Sequence, residues 1–159
     1  MDHSANPAAS GASTACELCD SDGGTVVHRS DKLRVVLVDD ADYPGFCRII
    51  WNGHVREMTD LHASDRDVLM DTVWTVESIV RQTMQPFKIN LASLGNMTPH
   101  LHWHVIPRYT DDAHFPAPVW AAAQRVALDA SLQPRIARLA HLRTALEQGF
   151  APVPERKLP

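Results

Sequence analysis

The sequence predicts an α+β chain on three observations: short strand-like runs in its first third, a long apolar stripe at helical spacing, and a later segment where histidines alternate with large apolar residues. A length of 159 residues with 45% apolar content suits a single core. The formal charge of −4 offers no basic footprint for DNA or RNA, which excludes a nucleic-acid polymer as the expected partner. No run approaches the roughly 18 apolar residues of a membrane span. The opening residues have neither a basic start nor an apolar signal core, so a cytoplasmic protein with no membrane partner is expected. The three cysteines, Cys16, Cys19 and Cys47, are an odd number that suits a reducing compartment better than a disulfide framework.

Residues 1–14 are small and polar without periodicity and are expected to form a disordered leader, with a single domain over 15–150 and a tail over 151–159. Val26–His28 and Leu33–Val38 are β-rich runs separated by a turn at Ser30–Asp31, and Phe46–Trp51 follows Pro44–Gly45, so an antiparallel meander is expected. Ser64 with Asp67 approximates a capping box, and Leu69, Val73, Val76, Val80 and Met84 form the stripe of a helix that should end at Pro86. Phe87–Ser93 and His100–Ile106 read as two further strands, joined by a loop holding Gly95, Asn96 and Pro99, with Pro107 just beyond. A helical extension over 121–150 contains a helix near Leu132–Gln148, with Ile136, Leu139, Leu146 and Phe150 roughly on one side. Cys47 should be a buried small hydrophobe, Trp51 and Trp103 core residues, and Trp74, off the helix stripe, an oligomer contact.

Nine histidines stand out, three of them in His100-Leu101-His102-Trp103-His104. Period-two alternation turns their imidazoles to one face and Leu101, Trp103 and Val105 to the other, with same-face Cα atoms roughly 6.6–7 Å apart. A solvated sheet face is one alternative, although β-propensity gives no reason to choose histidine for it. A transition-metal site is another, but no Asp or Glu stands nearby to act as base for a metal-bound water.

His-Leu-His-Trp-His-Val-Ile resembles the His-φ-His-φ-His-φ-φ motif (φ apolar) of the histidine-triad (HIT) family. The resemblance spans 16–120 and includes the Gly95–Asn96 loop, the Val-Ile-Pro ending and His54 after the third strand. It implies a fold in which an antiparallel sheet of about five strands carries the Asp65–Met84 helix and a C-terminal helical extension. It also implies a homodimer, and a nucleotide hydrolase or transferase cleaving at the α-phosphate of a conjugate such as a dinucleoside polyphosphate, diadenosine tetraphosphate for example, or a nucleoside phosphoramidate. His102 would be the nucleophile, forming a nucleotidyl-histidine intermediate. His104 would bind phosphate oxygens and assist the leaving group, and His100 would orient its neighbour or bind metal. A nucleotide-binding adaptor with little turnover and a metal-dependent hydrolase are the rival functions. Asn96 and nearby backbone N–H groups are expected to meet phosphate. Where similar proteins often place Ser or Thr two residues after Gly95, this chain has Met97, and Thr98 is the available substitute.

Cys16-Glu17-Leu18-Cys19 has the C-x₂-C spacing of half a zinc site, and a redox pair or two packed thiols are its other readings. Relatives with such a pair imply completion by His54 and His100 as a structural zinc site. Asp39 resembles the acid that holds ribose hydroxyls in the family, or belongs with Asp40 and Asp42 to a solvated turn. Asn90 is either a phosphate or ribose contact or an amide satisfied within the protein. His28, His62 and His141 are assigned no role. His114 and Trp120 lie on a segment that follows the triad closely enough to reach a substrate, with Trp120 against a base.

Overall fold

The computed structural model describes residues 16–151; the expected leader, and the expected tail beyond residue 151, lie outside them. The elements are α1 (Glu17–Asp20), β1 (Thr25–Arg29), β2 (Leu33–Leu37), β3 (Cys47–Trp51), a 3₁₀ turn (Met58–Asp60), α2 (Ala63–Met84), β4 (Lys88–Ala92), β5 (His102–Arg108), α3 (Asp129–Ile136) and α4 (Leu139–Gly149). The strands form one antiparallel sheet in the order β1-β2-β3-β5-β4. The fold is the expected α+β arrangement, with β5 inside the sheet between β3 and β4.

One face of the sheet packs on α2. Leu69, Val73, Val76, Val80 and Met84 are each 0% exposed and meet Val35, Cys47, Ile49, Leu101 and Val105. Burying each such side chain contributes about 1.5–3 kcal/mol, which makes this layer the main source of stability. The other face is covered locally: Leu18 of α1 packs on Val36 and Ile50, while Tyr43 and Phe46 pack on Ile106. Coverage on both sides explains why β2 and β3 are almost continuously apolar.

The Ser30 hydroxyl accepts from the backbone N–H groups of Lys32 and Leu33 and sets the β1–β2 turn. At Gly45 the backbone has φ +91°, and an added Cβ would lie 3.0 Å from the Met84 side chain. Both the dihedral and the close approach of α2 require glycine there.

Three expectations change. The capping box at Ser64–Asp67 does not form: α2 starts at Ala63 after His62, whose side chain makes no cap bond. Its C-terminus does obey the proline, since Gln85 takes a left-handed conformation directly before Pro86. The single C-terminal helix is two, α3 with Pro134 inside it and α4; Leu142 and Leu146 of α4 are 0% exposed, whereas Ile136 of α3 is 42% exposed. Lastly, β5 begins at His102 rather than His100 and runs through Pro107. Pairing with β3 stops at Val105, so Pro107 sits where one side of β5 has become an edge. Cys47 and Trp51 are buried as expected, and Trp103 is half-buried against the core.

Candidate active site

Alternation along β5 sends Leu101 and Val105 into the α2-side core and leaves His102 and His104 on the opposite face. Their rings lie 4.7 Å apart between centroids, nearly perpendicular. Across the sheet, Ile50 is the register partner of His102 and Arg48 that of His104. His100, just before the strand, is fully buried and turns its ring toward the N-terminal segment instead of along the line of the other two.

The Nδ1 of His102 lies 2.6 Å from the backbone oxygen of His100. A carbonyl only accepts, so Nδ1 carries the proton and donates it, leaving the Nε2 lone pair available. Burial lowers the pKa of His102, opposed by this hydrogen bond, with Arg48 and His100 adding to the lowering. His104 is pushed down to about 3, by burial first and then by His102 and Arg48. Its Nδ1 is buried and has no partner among the described residues. Both imidazoles are therefore neutral near pH 7. Phe46 meets His104 edge-on at 5.5 Å, and Trp120, half exposed, stands 5.6 Å from its ring at a tilt of 40°.

Cys16, Cys19, His54 and His100 come together with their ligand atoms all within 4.8 Å of one another. The Cys19 Sγ lies 3.3 Å from His54 Nδ1 and 3.4 Å from His100 Nδ1, and the Cys16 Sγ lies 3.5 Å from His100 Nδ1. A tetrahedron with Zn–S near 2.3 Å and Zn–N near 2.0–2.1 Å has S···N edges of about 3.5 Å, so the group fits a metal ion. His100 Nε2 donates to the Trp51 oxygen at 2.6 Å, which directs the Nδ1 lone pair at the thiols. Arg34 anchors the thiol segment, donating to the backbone oxygens of Leu18, Ser21 and Asp22 and to the Asn52 side chain.

At the far end of β5, Asp112 is buried and pairs with Arg108 through two bonds of 2.7 and 3.0 Å. It also accepts from the backbone N–H groups of Tyr109, His114 and Phe115, and Arg108 holds its carboxyl down to about 2 against the opposing effect of burial, the largest single influence. Arg108 reaches on to the Ala117 oxygen, which ties down the segment carrying Trp120. Asn90 belongs to this network: its side-chain oxygen accepts from Arg108 at 2.6 Å. His114 is hydrogen-bonded through its Nδ1 to the Tyr43 hydroxyl at 2.6 Å.

Residues 22–111, more than half of the chain, match the HIT domain. The chain belongs to the HIT family. A histidine triad protein from Bradyrhizobium japonicum is 27% identical, with a TM-score of 0.66 over 82% of this chain and 92% of that one. One from Marinobacter aquaeolei is also 27% identical, at 0.61 over 79% and 92%. A third, from Sinorhizobium meliloti, is 24% identical at 0.61 over 80% and 95%, and speaks for the fold alone. No curated protein matches the chain. Membership of the HIT family carries the coarse expectation of nucleotide-related hydrolase or transferase activity.

Two residues expected to meet substrate stand outside the triad rings' immediate surroundings. Asp39 is exposed and lines a cavity of about 560 Å³ with Thr25, Leu37, Ile136, Leu139 and Arg143, none of them a triad histidine. Asn96 lines a second cavity of about 560 Å³ with Arg56, Ser93, Gly95 and Leu101, beside the start of the triad strand. Met97 is 96% exposed. Three contributors to this HIT site were not singled out from the sequence. The Ser93 hydroxyl donates to the His102 backbone oxygen at 2.9 Å, Asp112 organises the Trp120 segment, and Arg48 faces the triad. The one visible signal was Arg48, a charge interrupting the apolar run Cys47-Arg48-Ile49-Ile50-Trp51. Among the described residues, no helix is long and apolar enough to cross a membrane.

Proposed function

We propose that the protein is a nucleotide hydrolase or transferase that cleaves a phosphoanhydride or phosphoramidate bond at the α-phosphorus of a nucleotide conjugate. The observation that carries this reading is the 2.6 Å bond from His102 Nδ1 to the His100 carbonyl, which frees Nε2 on a neutral, positioned imidazole. Nε2 attacks the α-phosphorus, the bond to the leaving group breaks with its electron pair, and a nucleotidyl-histidine forms. Water or another acceptor then attacks phosphorus and the P–N bond breaks, regenerating the imidazole. Splitting the displacement into two steps lowers each barrier.

His104 contributes first as a neutral N–H donor to a phosphate oxygen. A bound phosphate's negative charge raises its pKa, so that it reaches a range useful for protonating the leaving group only when substrate is present. Asn96 and the backbone of the 94–97 turn supply further donors, Asn90 and Asp39 are proposed as nucleotide contacts, and Trp120 is suited to a base or leaving group over His104. Dinucleoside polyphosphates, diadenosine polyphosphates among them, and nucleoside phosphoramidates are the substrate classes that fit this chemistry.

Zinc is proposed at Cys16, Cys19, His54 and His100. A four-ligand closed site of this kind is structural, and it would hold the residue whose carbonyl orients His102. Pairing of two chains is also proposed, supported by the exposed Trp74 on α2 and by β4 as an edge strand. The test is turnover: wild type releases nucleoside monophosphate from a panel of these conjugates, whereas His102→Ala, folded by circular dichroism, releases none. Turnover by His102→Ala at the wild-type rate removes the reading.

A further inference from the structure

The inner strands β2, β3 and β5 each carry one arginine on the face from which His102 and His104 rise: Arg34, Arg48 and Arg108. Two are consumed by the fold. Arg34 donates to three backbone oxygens and Asn52, and Arg108 to Asp112, Asn90 and Ala117. Arg48 is different. It forms no ion pair among the described residues, and its Nε is buried without a hydrogen-bond partner. Its guanidinium lies 5.4 Å from the Phe46 ring centre, and Phe46 in turn meets His104.

A guanidinium that the fold leaves without an ionic or hydrogen-bonding partner keeps its charge and donors free for a ligand. Among the described residues, Arg48 is the one arginine of this face whose charge is not taken up by internal partners. The position two residues after Gly95, where similar proteins often carry a hydroxyl, is the outward-facing Met97.

We propose that Arg48 is an anion-binding residue of the active site, which holds the non-bridging oxygens of the phosphate beside His102 and His104. This rests on the functional reading above and adds to it a residue that fixes the charge of the acceptor site. The planar fork of a guanidinium matches two oxygens of one phosphate, and its charge opposes the negative charge that the attacked phosphoryl group carries through the transition state. Arg48 therefore selects an anionic tetrahedral group over a neutral ester, and it does so before any chemistry.

The experiment follows binding and turnover separately. Inorganic phosphate, adenosine 5′-monophosphate and adenosine are titrated into wild type, Arg48→Met and Arg48→Lys, reading the Arg48 Nε–H resonance in the wild type and affinity by calorimetry in all three. The expected result is a shift of that resonance by phosphate and a loss of affinity for phosphate and the monophosphate of about 10- to 100-fold in Arg48→Met. Arg48→Lys recovers part of it, and adenosine affinity stays unchanged. The thermal midpoint of Arg48→Met should equal or exceed that of wild type, because removing an unpaired buried donor relieves the fold; a purely structural arginine would lower it. Phosphate binding unaltered in Arg48→Met, or absent from wild type, overturns the proposal. Arg48-dependent phosphate binding in a protein that turns over no nucleotide conjugate leaves the proposal standing and removes the functional reading instead.

Discussion

The imidazole of His102 donates to the backbone oxygen of His100 two residues before it, at 2.6 Å. That oxygen is itself immobilised, because the His100 ring is clamped between the Trp51 carbonyl and the two thiols. The tautomer of one histidine is thus set by how the preceding one is held, which links the Cys/His group to the proposed nucleophile through a single peptide unit.

The Cys/His group is expected to hold one zinc ion per chain. Metal analysis of untreated protein should return one equivalent, and Cys19→Ser should lower occupancy together with the thermal midpoint. A metal-free protein with the same midpoint as the loaded one would show that the thiols merely pack.

His104 is expected to titrate near pH 3 in the free protein, measured by its ring proton resonances. Its folded pKa lies below the ordinary value of 6.5, so on acidification the unfolded chain takes up the proton first. The stability that neutral His104 contributes is full above pH 6.5 and is lost progressively as pH falls toward about 3. Asp112, held at about 2 against an ordinary 3.8, adds a loss of the same sign at the acid end of that window. Saturating phosphate should move the His104 titration upward, and a curve unmoved by phosphate would separate this ring from the anion.

Asp112→Asn is expected to destabilise the fold by about 3–5 kcal/mol in urea titration, since it leaves the buried Arg108 charge without its partner. Activity should fall as well, because the same carboxylate holds the backbone of His114 and Phe115, and with it the approach of Trp120 to His104.

Leu142→Ala should also cost about 2–5 kcal/mol, the range for emptying a fully buried leucine site. Here turnover per folded molecule should be retained, for α4 packs on α2 and β1, away from the histidine face. A loss of kcat at temperatures well below the transition would contradict that separation.

Alternation made β5 and its two faces legible, because a period of two is a direct property of the extended chain. The α2 stripe was legible for the same kind of reason, and Pro86 fixed its end. What escaped was set by distant partners. His62 rather than Ser64 precedes α2 because the chain arrives from the 3₁₀ turn, where Glu57 and Asp60 form the reciprocal capping pair. Asp112 draws on Tyr43, 69 positions away, and no local pattern announces that. The Cys/His group joins residues separated by up to 84 positions, so the C-x₂-C spacing alone gave half of it and the family resemblance suggested the rest. Asn90 reads from sequence either as a substrate contact or as an amide satisfied within the protein, and in the fold its side-chain oxygen accepts from Arg108. Arg48 was visible as a charge in an apolar strand, but its isolation appears only when the partners of Arg34 and Arg108 are counted.

The most direct measurement is to quench the protein during turnover of a labelled nucleotide conjugate and sequence the modified peptide by tandem mass spectrometry. A nucleotidyl group on His102, lost on chase with unlabelled substrate and missing from His102→Ala, is the predicted result. A label carried by His104, or turnover at full rate with His102 removed, would contradict the account.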